Sequence, residues 1–151
     1  MRRDTIDPLL HRIIGGKYEI EALIGTGAMG RVYRAVHQDL RRTVAIKVML
    51  GLQRSHPDQA RRFRAEAQAA SRLDHPHTIS ILDFGEDKQD GLLYIIMEYI
   101  DGKELQQVIE EEGPLDHQRV AWIMAQVFSA LSAAHAQQVV HRDMKPGNIL
   151  L

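Results

Sequence analysis

Apolar and polar positions alternate in short runs over the first hundred residues and then change to a helical spacing. The run "YEIEALIG" sets Tyr18 and Ile20 in phase and, after a slip at Ala22, adds Leu23 and Ile24, which predicts a strand. A glycine-rich turn at 25–30 follows, and then "RVYRAVHQ" and "TVAIKVML" read as a second and third strand. "SHPDQARRFRAEAQAASRLDH" carries Phe63, Ala67, Ala70 and Leu73 as a weak apolar stripe. Ser55 and Asp58 resemble a capping box and Pro57 sits in the first turn, so the stretch predicts a helix. "TISILDFGE" and "GLLYIIMEYI" are two further strands around a polar turn with Gly91. Beyond Gly102, "KELQQVIEEE" predicts a short helix ending at Gly113-Pro114. Asp116 is placed to cap a long helix to about Gln137, with Val120, Ile123, Met124, Val127, Leu131 and Ala134 at helical spacing. Residues 1–16 carry few order signals and read as a lead-in. Five strands with one inserted helix, then helices, predict an α+β fold with a meandering antiparallel sheet first and a helical part second.

Composition narrows the class. The 151 residues amount to about one domain, and 44% hydrophobic residues suffice for a core. A net charge of −1 gives no basic field for nucleic acid and no acidic tail. The absence of cysteine excludes disulfides and thiolate metal sites. Arg2 and Arg3 are followed by Asp4 and Asp7 with no apolar core, so the start does not read as a signal peptide. The apolar run Leu92–Met97 is far too short to span a bilayer, and the expectation is a soluble, cytoplasmic chain with no membrane segment.

Chemistry enters at "IGTGAMGRV", which spaces Gly25, Gly27 and Gly30 as G-x-G-x-x-G. A dinucleotide fingerprint would open a helix at the last glycine, but Arg31-Val32-Tyr33 continues as a strand. A Walker loop would follow with Lys and a hydroxyl residue, but Arg31-Val32 follows instead. A glycine loop between antiparallel strands remains, able to bring backbone N–H groups close to phosphate, with a plain hairpin as the bland alternative. In "VAIKV", Lys47 is either an ordinary outward strand lysine or one held to meet phosphates. Glu66, three after Phe63 and four before Ala70, would then point inward as its partner; the alternative is a solvated pair with Arg62. Asp74, His75 and His77 lie in a connector beside Pro76 and read as a loop, not as a metal site.

"IGTGAMGRV", "VAIK" and the closing "HRDMKPGN" occur in the order found in protein kinases, and the chain resembles the bacterial members of the eukaryotic-type serine/threonine kinases over roughly residues 17–151. The resemblance implies a kinase-like fold, with residues 17–100 as the small lobe and hinge and 101–151 as the start of the large lobe. It implies ATP and Mg²⁺ as cofactors and a protein substrate offering Ser or Thr. Gly25, Gly27 and Gly30 would cover the phosphates, and Lys47, paired with Glu66, would contact them. Met97 would stand as gatekeeper, and the backbone of Glu98 and Ile100 would bind the adenine edge. Ile24, Val32 and Ala45 would roof the adenine over Leu150, and Glu104 would reach the ribose. Asp143 would orient the substrate hydroxyl and accept its proton, Lys145 would steady the moving phosphoryl group, and Asn148 would hold a metal ion. His141 and Arg142 would be structural.

The family's metal-binding Asp-Phe-Gly belongs after the catalytic loop, beyond Leu151. The literal Asp83-Phe84-Gly85 lies in the fourth expected strand, ahead of the hinge, and reads as a decoy. The expectation is therefore a catalytic domain given in part, inactive by itself, with self-association through the uncovered helix 116–137. Two other classes stay open, a nucleotide-binding pseudokinase-like fragment and an interaction module on the small-lobe scaffold. A full-length relative could carry a membrane anchor further downstream.

Overall fold

A computed structural model describes residues 7–27, 30–49 and 57–151, without the side chains of Pro57 and Gln59. The strands are β1 (Ile13–Ile14), β2 (Tyr18–Gly27), β3 (Gly30–His37), β4 (Arg42–Met49), β5 (Ile81–Glu86) and β6 (Leu93–Glu98). The helices are α1 (Pro57–Ala70), α2 (Leu105–Glu112) and α3 (His117–Ala136), with one turn of 3-10 helix at Pro146–Asn148. Two compact units result. One holds the sheet and α1, and the other is formed by Arg72–Ile79 with Ile100–Leu151.

The sheet has six antiparallel strands in the order β1-β2-β3-β4-β6-β5, one more than the pattern predicts. The added strand comes from the stretch read as a lead-in. Ile13 pairs with Glu19 and Ile14 with Tyr18, while Leu9 and Ile14 are buried in the core with Ile20, Tyr33, Val44, Ile46, Val48 and Ile96. Full burial of each large side chain there contributes about 1.5–3 kcal/mol. Two-residue strands carry too little alternation to be read from sequence.

Side chains tie the sheet's two edges together, so it curls. Tyr18 donates its hydroxyl to Asp83 at 2.9 Å and Lys17 donates to the same carboxylate at 3.2 Å. Arg12 reaches Asp90 at 2.7 Å and Asp87 at 3.4 Å. Asp87, 3% exposed, also accepts from the backbone N–H groups of Gly15 and Gln89, both at 2.9 Å. Gly15 has φ +59°, and a Cβ there would collide with the Tyr94 hydroxyl. Burial, then the bond to Asp83, push the Tyr18 phenol well above its ordinary pKa.

The helix bounds have local causes. The Ser55 cap expected for α1 lies outside the described residues. The helix stops at Ala70, five residues short of the expectation's end at His75, because Ser71 turns its hydroxyl onto the Gln68 carbonyl at 2.9 Å and Pro76 disfavours helix at His75. In the second unit Asp116 caps α3 as expected, accepting from Gln118 N–H at 3.0 Å and Arg119 N–H at 3.2 Å. The stripe from Val120 to Leu131, expected to lack cover, is covered only in part. Ile123, Ala130 and Ala134 are buried, Met124, Val127 and Leu131 are half-buried, and the large apolar side chains left exposed on α3 are Val120 at 42%, Trp122 at 65% and Phe128 at 60%. Val120, Ile123 and Met124 of the stripe, with Leu105 and Ile109 of α2, line an apolar pocket of about 270 Å³. Among the described residues no helix is long and apolar enough to cross a membrane.

Candidate functional site

In the first unit, strand register assembles half of the expected set. Gly25 pairs with Val32, Val32 with Lys47, and Lys47 with Ile95. Cross-strand partners share a face, so these four form one row across the sheet. Ala45 pairs with Met97 in the next row on that face. The opposite face carries the buried Tyr33, Ile46 and Ile96. Further along the Lys47 face, Met49 and Leu93 pack with Phe63 of α1. The glycine stretch is a continuation of the β2–β3 hairpin, with Gly27 paired to Gly30 and Ala28-Met29 outside the described residues.

The three glycines have different reasons to be there. A Cβ on Gly30 would collide with the Val48 carbonyl oxygen, whereas one on Gly25 or Gly27 would meet only ordinary contacts at 3.7 and 3.9 Å. Packing alone therefore demands Gly30 and gives no reason for glycine at the other two positions. Gly30→Ala is expected to lower unfolding free energy by about 1–3 kcal/mol. Gly25→Ala and Gly27→Ala should change it by less than about 0.5 kcal/mol, with urea unfolding as the measurement.

One expectation in this unit changes, and the structure adds detail to two others. Glu66 is exposed on α1, and among the described residues no ion pair joins it to Lys47. The helix buries Phe63 and Ala67, and that narrow stripe leaves Glu66 at its edge and not inward. Ile24 falls at a register shift between Leu23 and Gly25 and is exposed, because the bulge takes it out of the paired row. Glu98 donates its backbone N–H to the Ser80 carbonyl at 3.0 Å, which leaves its carbonyl as the backbone group to offer a ligand. Its side chain accepts from the Ser80 N–H at 2.7 Å.

In the second unit, the polar stretch 141–148 closes on itself. Lys145 Nζ lies 3.1 Å from Asp143 Oδ2. Asn148 donates from Nδ2 to the Asp143 carbonyl at 2.7 Å and to Oδ2 at 3.1 Å. His141 Nδ1 accepts from the Asp143 N–H at 3.3 Å across Arg142, whose φ of +64° is a left-handed turn rare outside glycine. Lys145, then Asn148, hold the Asp143 carboxyl below its ordinary pKa, so at neutral pH it is an ionised, solvent-facing acceptor. With Nδ2 committed, Asn148 keeps Oδ1 as a hard oxygen donor of the kind Mg²⁺ takes. The 149–151 stretch runs antiparallel to 103–105, with Glu104 bridged to Leu150 and Leu105 N–H donating to the Ile149 carbonyl at 2.8 Å. Gly102 is required at this ladder, since its Cβ would stand 2.5 Å from the Leu151 carbonyl oxygen. Ile100, Glu104 and Leu150 are all exposed.

Asp83 is used structurally, by Tyr18, by Lys17 and by the Phe84 N–H at 2.9 Å. His75 has both ring nitrogens engaged, Nδ1 by the His77 N–H at 3.1 Å and Nε2 with Ser129 Oγ at 3.1 Å. Among the described residues no group of three His, Asp or Glu side chains could hold a metal ion.

Known proteins resemble the chain along its length. The description "protein kinase domain" matches residues 18–151. The serine/threonine-protein kinase pkn3 of Myxococcus xanthus is 47% identical over 151 residues, 100% of this chain and 27% of its own. The serine/threonine-protein kinase PrkC of Bacillus subtilis (strain 168) is 46% identical over 143 residues, 95% of this chain and 22% of its own. The crystal structure of the Mycobacterium tuberculosis PknI kinase domain superposes with a TM-score of 0.81 at 32% identity, covering 97% of this chain and 59% of that one. The chain thus spans about a quarter of the curated relatives it matches.

Proposed function

Because this chain belongs to the protein kinase domain family, of the bacterial serine/threonine type, we propose that its residues serve ATP-dependent phosphorylation of Ser or Thr hydroxyls on a protein substrate. The observation that carries the reading is the hydrogen-bonded set Asp143, Lys145 and Asn148. An ionised carboxylate, a fixed ammonium and a free amide oxygen within one turn are what proton acceptance, charge stabilisation and Mg²⁺ binding need.

Asp143 orients the substrate hydroxyl and takes its proton, and its lowered pKa keeps it ionised for that task. Lys145 balances negative charge as the phosphoryl group moves. Asn148 fixes the Asp143 backbone through Nδ2 and offers Oδ1 to the metal. Bound ATP supplies the phosphoryl group and Mg²⁺ neutralises its charge. In the first unit, Gly25 and Gly27 admit phosphates close to the backbone, and Lys47 meets them from the Val32 row. In the same unit Ala45, Val32 and Ile24 offer apolar contact to adenine beside Met97, and the Glu98 carbonyl meets its edge; in the second unit the Ile100 backbone, Leu150 and Glu104 are the residues assigned to adenine and ribose. Self-association through 116–137 remains part of this reading, with Trp122 and Phe128 as its contact residues.

One observation favours a nucleotide-binding, non-catalytic reading instead, namely the Lys47–Glu66 pair left unformed. Calorimetry separates the possibilities. The 151-residue chain is expected to bind ATP with Mg²⁺, and Lys47→Met to weaken it by about tenfold. Equal affinities would remove Lys47 from the site. Binding without transfer, in the chimera described below, would select the non-catalytic reading.

A further inference from the structure

Asp7 precedes every motif and yet touches the glycine hairpin. Its Oδ2 accepts from Arg31 Nη1 at 3.0 Å and from the Tyr33 hydroxyl at 2.9 Å, and its Oδ1 accepts from the Leu9 N–H at 3.0 Å. Arg31 directly follows Gly30 and pairs with Thr26 across the hairpin. Strand alternation sets Arg31 and Tyr33 on the face opposite Val32 and Lys47. Tyr33 is fully buried, so this anchor does not drift. Burial pushes the Asp7 carboxyl up, but the Leu9 N–H, the Tyr33 hydroxyl and Arg31 outweigh it and hold it ionised. The segment carrying Asp7 is itself fixed. His11 N–H donates to the Ile20 carbonyl at 2.8 Å, Ile20 N–H to the Arg12 carbonyl at 2.9 Å, and Arg12 is held by Asp87 and Asp90.

We propose that Asp7 is a positioning residue for phosphate binding. It grips Arg31 and Tyr33 from behind, presets the returning arm of the glycine hairpin, and keeps the Arg31 guanidinium on the far face from the ligand. The proposal rests on the nucleotide reading above, and a structural role alone would not produce the following pattern.

The test is Asp7→Asn in the 151-residue chain, with ATP and adenosine binding measured by calorimetry and amide exchange measured without ligand. ATP affinity should fall about tenfold, equivalent to about 1.4 kcal/mol, while affinity for adenosine, which lacks phosphates, changes by less than about twofold. Amides of Thr26, Gly27, Arg31 and Val32 should exchange faster, and those of Ile46 and Ile96 should not change. Equal losses for ATP and adenosine, or faster exchange across the whole sheet, would mean that Asp7 merely supports the fold and would overturn the proposal. Unchanged hairpin exchange would overturn it too. A parent chain that binds neither ligand would sink the nucleotide reading, and the exchange result would then decide Asp7's hold on the hairpin by itself.

Discussion

Asp143→Asn will lower phosphoryl transfer by about 10²–10⁴-fold, the span that a positioned general base contributes. Asp83→Asn will leave transfer within about twofold, as expected for a residue outside the chemistry. The assay is a chimera in which residues 1–151 continue into the remaining kinase-domain segment of the PrkC relative, followed for Mg²⁺-dependent phosphorylation on Ser or Thr. The contrast follows from the partners each carboxylate has. Asp143 is exposed, ionised and set between Lys145 and Asn148, with an oxygen edge facing solvent. Asp83 receives the Tyr18 hydroxyl, the Lys17 ammonium and the Phe84 N–H, and so closes the sheet. Transfer that survives Asp143→Asn and vanishes with Asp83→Asn would reverse the two assignments.

The largest stability effect should come from Asp87→Ala. Removal of this carboxylate leaves the Gly15 and Gln89 N–H groups without their acceptor and takes from Arg12 its more buried partner. Gln89 is exposed, so the half-buried Gly15 N–H is the group that bears the cost of about 1–3 kcal/mol for a buried donor left unsatisfied, and loss of one member of a buried ion pair costs about 3–5 kcal/mol. Arg12 retains Asp90, which discounts the second figure, so a total of about 3 kcal/mol is expected. The urea midpoint should fall with an unchanged slope. Asp90→Ala, at a partly exposed pair, should cost less than about 1 kcal/mol. Equal effects from the two substitutions would show that Asp87's burial contributes nothing special.

Much of this was legible in advance because it is local. The alternation in "RVYRAVHQ" and "TVAIKVML" became β3 and β4, and Asp116 became the α3 cap. The grouping of Asp143, Lys145 and Asn148 within six positions became a hydrogen-bonded set. What sequence reading missed is long-range. Arg12 meets Asp90 across 78 positions and Lys17 meets Asp83 across 66, and no period in a single chain announces such pairs. A weak signal existed in "EDKQDG", where two aspartates flank a tight turn and ask for a cation. Glu66 was misread because a residue three from one stripe member and four from another can still sit at the edge of the stripe. The Trp122 and Phe128 surface was missed because the reading followed the helical stripe from Val120 to Leu131, and both residues lie off it.

The first strand also bears on where the protein should be cut for study. The protein kinase domain match begins at residue 18, which invites an expression boundary there. Such a cut would discard Leu9 and Ile14, uncap Ile20's backbone N–H, and release both Arg31 and the acidic turn at 87–90 from their partners. The family's domain description marks what its members share, whereas packing marks where this molecule begins to hold together, and here the two differ by about a dozen residues. A shortened product that behaves poorly would report on the missing strap and not on the kinase core.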